Sequence, residues 1–181
     1  MSLIEIILTA VALSMDAFAV SMTNGMVYKT LPRRKWLVAP IFFGFFQGFM
    51  PLVGFFAGSV FANFIETYSK ILILLILGFI GSKMIYDGFT DKKEDDIKSY
   101  LTVKLIFLQA IATSIDAFAV GIGFCAMKAN ILLAVSLIAV ITFVLSFISF
   151  ILGRKFGDIL GNKAEIFGGT ILVILAIKAL F

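Results

Sequence analysis

Six apolar stretches, each near the length that crosses a lipid bilayer, divide this chain of 181 residues. They lie at about 2–24, 36–60, 69–88, 102–125, 130–152 and 164–181. A helix needs roughly 20 such residues to span a hydrocarbon core about 30 Å thick. Composition agrees: 61% of residues are hydrophobic and 14% charged, whereas about a quarter of a soluble domain is charged. The expected fold class is an all-α membrane protein with six transmembrane helices. Nothing basic precedes the first stretch, which reads as a retained span rather than a cleaved leader.

The breaks between spans are short and polar. Lys29 to Lys35 is basic and contains Pro32; Asn63 to Lys70 is a polar joint; Asp91 to Tyr100 is a charged linker. Lys128 to Asn130 is a tight turn, and Gly153 to Lys163 is Gly-rich and charged. Basic residues in short loops stay cytoplasmic. With both termini outside, eleven lysines and arginines fall in inner loops and two, Lys70 and Lys128, in outer ones. Trp36, beside the basic cluster, suits an interfacial anchor. The expected location is a cell membrane, multi-pass.

A second feature lies inside the spans. The segment Ser14 to Val20, SMDAFAV, returns 100 residues later as SIDAFAV at Ser114 to Val120. Ala10 and Ala12 recur as Ala110 and Ala112. The halves are then 1–90 and 101–181, with three spans each, joined by the linker 91–100. An odd number of spans inserts the second half upside down, which makes two inverted three-helix repeats with a site near the midplane. Lys83 and Lys178 echo one another near the ends of spans three and six. They read as side chains that snorkel to the interface.

Each copy of the motif carries one acid, Asp16 or Asp116, deep in its span. Asp16 lies about 20 Å along its helix, at about 1.5 Å per residue. Intramembrane carboxylates are costly and mark ion or proton pathways. Two of them, without a cation in neighbouring sequence, cannot both stay ionised cheaply. A divalent cation between them relieves the repulsion, and so do protons; exchanging the two is antiport chemistry. The candidate ligands are oxygens, which suit hard cations such as Mg²⁺, Ca²⁺ and Mn²⁺. Asp16 and Asp116 are the primary metal residues. Gln47, Ser14, Ser114, Asn24 and Glu165 are secondary ones, and Pro51 frees a backbone carbonyl beside Gln47. The bland alternatives are interhelical amide bonding for Gln47, packing for the serines and a helix-start role for Glu165.

The doubled motif, FFQGFMPLVG at Phe45 and its neighbours, and the segment Lys163 to Gly169 together resemble the MntP family of manganese efflux pumps, within the LysE-type exporter superfamily. The likeness covers nearly the whole chain. It implies a bacterial-type cytoplasmic membrane protein that exports Mn²⁺ and needs the motif aspartates, here Asp16 and Asp116. Some relatives have Glu where Gln47 stands, so this chain has one charge fewer there. Mn²⁺ would be cargo, and no cofactor is expected.

Other functions are bounded in turn. Export of amino acids or other small solutes is the superfamily alternative. An intramembrane aspartyl protease would also use two acids, but its GxGD-type motif is missing, so an enzyme is not expected. No P-loop pattern points to ATP hydrolysis. One cysteine, Cys125, and no histidine offer no zinc cluster, and no basic soluble domain exists for nucleic acid. Glycines at small-xxx-small spacing, such as Gly44 with Gly48 and Gly54 with Gly58, allow close helix approach within or between copies.

Overall fold

The computed structural model describes residues 3–28, 31–89, 101–126, 130–160 and 163–178. Among them are five α-helices and one 3-10 turn, with no strand. The helices are α1 (Leu3–Val27), α2 (Val38–Phe89), α3 (Val103–Ala126), α4 (Ile131–Leu160) and α5 (Ala164–Lys178). Four stretches are long and apolar enough to cross a membrane: Leu3–Val27, Arg33–Ala57, Val103–Phe124 and Ile131–Gly157. The linker 91–100 and the turn at 127–129 lie outside the described residues. So do the side chains of Glu66, Cys125 and Glu165.

The distribution of polarity is that of a chain solvated by lipid. Ile4, Leu8, Phe56, Leu75, Phe79 and Leu132 are exposed on the outside. Ser21, Asn24, Gln47, Gln109, Thr142 and Ser146 are buried within. A water-soluble domain has little reason to expose so much contiguous apolar surface. In a bilayer the same surface is solvated by acyl chains, and polar groups find partners between helices.

Two expectations change. Spans at 36–60 and 69–88 were to be separated by the polar joint Asn63–Lys70, yet helix runs through it from Val38 to Phe89. Between Gly58 and Gly78 there is neither proline nor glycine, and polar side chains alone do not interrupt a helical hydrogen-bond ladder. Phe46 and Leu74, on either side of the expected joint, both pack against one apolar cluster. The second change is at α4, which continues through the expected break at Gly153 as far as Leu160. Gly153 is buried against α1, so tertiary packing overrides its low helix propensity. α5 is described from Ala164 to Lys178, and the last three residues of the span expected at 164–181 lie outside the described residues.

α1 packs chiefly on α4, and α2 packs on α3, α4 and α5. Two of the contacts are alike in detail. A Cβ on Gly25 would strike the carbonyl oxygen of Phe150, and one on Gly153 would strike that of Met22. A Cβ on Gly121 would strike the carbonyl oxygen of Pro51, and one on Gly54 would strike that of Phe118. In both crossings each glycine stands three residues from the carbonyl its partner helix meets. The α1/α4 contact thus repeats the α3/α2 contact. Gly44 and Gly48 meet Ala139, Phe143 and Val135 of α4. The glycines at these close approaches are therefore used inside the chain, the first of the two uses their spacing allows.

Candidate cation site in the bundle interior

Asp16 and Asp116 sit in the middle of α1 and α3. Their surroundings are built alike. Two residues before each, a buried serine turns back on its own helix: Ser14 Oγ donates to the carbonyl of Val11 at 2.8 Å, and Ser114 Oγ to that of Ile111 at 3.1 Å. The next residues, Ala17 and Ala117, are fully buried. Small residues on both sides let other helices come close to the acids. The Asp116 Oδ1 accepts a bond from the Ala117 N–H at 2.8 Å.

The two acids differ in their partners. Lys178 Nζ lies 3.6 Å from Asp16 Oδ1, with the Asp16 side chain 36% exposed and that of Lys178 71% exposed. The expectation that Lys178 only snorkels is corrected by this ion pair. α5 brings the lysine to Asp16 from 162 positions away, which inspection of sequence neighbours misses. Lys83, its counterpart, is exposed and has no ion pair among the described residues.

Gln47 is fully buried on α2. Its Nε2 donates to the Leu13 carbonyl at 2.8 Å, while its Oε1 has no partner among the described residues. Leu13 precedes Asp16 by three residues, so the amide sits within one turn of that acid. Its free oxygen is a neutral donor of the kind a hard cation accepts. Asn24 is committed elsewhere. Its Nδ2 donates to Gln109 Oε1 at 2.8 Å, and Gln109 Nε2 donates back to Asn24 Oδ1 at 3.2 Å. Asn24 lies about 12 Å along α1 from Asp16. Glu165 falls in the first turn of α5, and its side chain lies outside the described residues.

No group of three or more His, Cys, Asp and Glu side chains converges among the described residues. A cation held here would have two carboxylates and neutral oxygens. Sequence reasoning missed Lys178 and Gln109, along with the buried hydroxyls of Thr142 and Ser146 on α4, which have no partner as donors. The signal for Lys178 was its echo of Lys83. For Gln109 it was an amide seven residues before Asp116 in an otherwise apolar run.

Comparison with known proteins places this arrangement. A family model described as "Mntp: Putative manganese efflux pump" matches residues 30–180. A protein of Ruminiclostridium cellulolyticum named "Putative manganese efflux pump MntP" is 41% identical over 179 residues, covering 98% of this chain and 95% of its own. A Methanosphaera stadtmanae protein of the same name is 41% identical over 180 residues, covering 98% of each chain. One from Gloeothece citriformis is 44% identical over 171 residues, covering 94% of this chain and 90% of its own. No solved structure gives a significant match. With the family model matching most of the chain, and these relatives matching nearly all of it, the chain belongs to the Mntp family.

Proposed function

We propose that this chain is a secondary transporter that exports Mn²⁺ from the cytoplasm. One observation carries the reading: the fully buried Gln47 amide is fixed to the Leu13 carbonyl within one turn of Asp16, and its Oε1 has no partner among the described residues. Two carboxylates and neutral oxygens suit a hard divalent ion better than a thiophilic one. The names of the relatives supply manganese in particular. The family is one of efflux pumps rather than enzymes, so a protease acting through the same acids has no support.

The mechanism in this reading is alternating access between halves 1–90 and 101–181, inverted with respect to each other. The matched glycine crossings support such a relation. Both termini face outward, from the loop charges. Protons taken up by the vacated acids drive the return.

The test is transport in proteoliposomes, comparing Mn²⁺ with Mg²⁺, Ca²⁺, Zn²⁺ and Cd²⁺, with and without a pH gradient. Asp16→Asn and Asp116→Asn are each expected to abolish Mn²⁺ flux while the protein still inserts. Wild-type flux in the double variant would end the site assignment. Flux indifferent to the proton gradient would end the exchange.

A further inference from the structure

The Lys178 ammonium is a full positive charge delivered to one of the two acids by a different helix. It is a long, flexible side chain, mostly exposed, on the last turn of α5. Nothing else among the described residues anchors it. It is therefore held to Asp16 chiefly by charge, and it can leave without unpacking the core. Lys83, at the corresponding place in the first half, makes no such pair.

We propose that Lys178 is a tethered counter-cation. Its ammonium occupies Asp16 when no metal is bound, is displaced as the divalent ion enters, and returns to the carboxylate as the ion leaves. This rests on the cation-site reading above and adds a residue that competes for the site. The charge count favours exchange. Two ionised carboxylates and one ammonium leave one negative charge, whereas a divalent ion in place of the ammonium leaves none. Keeping both cations would leave one positive charge in a low-dielectric interior, which is costly. Metal and lysine are thus mutually exclusive partners of Asp16. A carrier needs such a competitor, because a site that only attracts its cargo also retains it.

The proposal is tested on the full chain in lipid nanodiscs, by equilibrium binding of Mn²⁺, and in proteoliposomes, by its flux. Lys178→Met removes the competitor without removing a ligand. Its Mn²⁺ affinity is expected to rise, by up to about fivefold, the range set by exposed ion pairs, and its maximal flux to fall. Lys178→Arg keeps the charge and should restore affinity and flux toward wild type, which a change of shape alone would not do. Lys178→Gln gives a second neutral variant should the methionine form fail to elute as a folded protein. Unchanged or weaker Mn²⁺ binding in both neutral variants would overturn the tether, and loss of binding in Asp16→Asn alongside would leave the cation site standing. Wild-type binding in Asp16→Asn would overturn that site, and the tether with it.

Discussion

Gly54→Ala is the sharpest available test of how the helices meet. The added methyl would lie against the Phe118 carbonyl oxygen, with the Phe118 carbonyl carbon at 3.0 Å and the Ile122 nitrogen at 3.3 Å. All three are backbone atoms, so no side chain can rotate away. Ordinary contact begins near 3.4 Å, and the helices must part by about 1 Å to restore it. Such a gap forfeits a quarter to a half of the dispersion energy of the atoms facing it. Overpacking of this kind costs about 1–3 kcal/mol, roughly a 5- to 150-fold change in the folded ratio. Gly121, Gly25 and Gly153 should respond alike, since their methyls would meet the carbonyls of Pro51, Phe150 and Met22. Gly123 is the control: nothing lies within 4 Å of its Cβ position. Gly123→Ala should be neutral, or more stable by up to about 1 kcal/mol through helix propensity. The measurement is reversible unfolding in mixed micelles, read by circular dichroism. Equal stability of Gly54→Ala and Gly123→Ala would refute the close backbone contact and the matched crossings with it.

Other outcomes follow from single contacts. Asn24→Leu strands one amide of the reciprocal pair with Gln109. A double-mutant cycle with Gln109→Leu should give a coupling near 0.6 kcal/mol, at most about 1.7, and a value of zero would deny the pair. Trp36 is the single tryptophan, and the Arg154 guanidinium carbon stands 4.4 Å over its ring, so tryptophan emission reports on the surroundings of that one ring. Arg154→Gln should shift its emission and cost about 0.5–2 kcal/mol; an unmoved spectrum would count against the stack. Gln47→Leu removes the unpartnered oxygen near Asp16 and should weaken Mn²⁺ binding while leaving the fold intact, a pairing of results read by calorimetry and gel filtration. Wild-type affinity in that variant would remove Gln47 from the site.

Much of this was legible in the sequence for reasons that can be named. Apolar length fixes a membrane helix because the bilayer has a thickness, so α1, α3 and the start of α2 fall within a few residues of their expected ends. The doubled motif marks Asp16 and Asp116 because a carboxylate in hydrocarbon needs a reason. What was not legible depends on contacts between distant segments. Gly153 reads as a loop residue until α1 is seen lying on it. Lys178 reads as a span-end lysine until α5 sets it beside Asp16. Polarity at Asn63–Lys70 marks where two spans should be joined, but does not say whether helical hydrogen bonding stops there. It continues.

Placing one acid on each copy of the motif has a consequence for assembly as well as for transport. α1 alone carries a single carboxylate, and so does α3; neither offers a divalent ion more than one charged ligand. The pair exists only once both are packed into one bundle. There each acid lies within a turn of a contact with α2. Gln47 reaches from α2 to the Leu13 carbonyl within a turn of Asp16, and Gly54 of the same helix meets Phe118, two residues beyond Asp116. α2 therefore touches both acidic turns, seven residues apart on its own axis, or about 10 Å. Pro51, which lies between Gln47 and Gly54, removes a backbone hydrogen bond from α2 there.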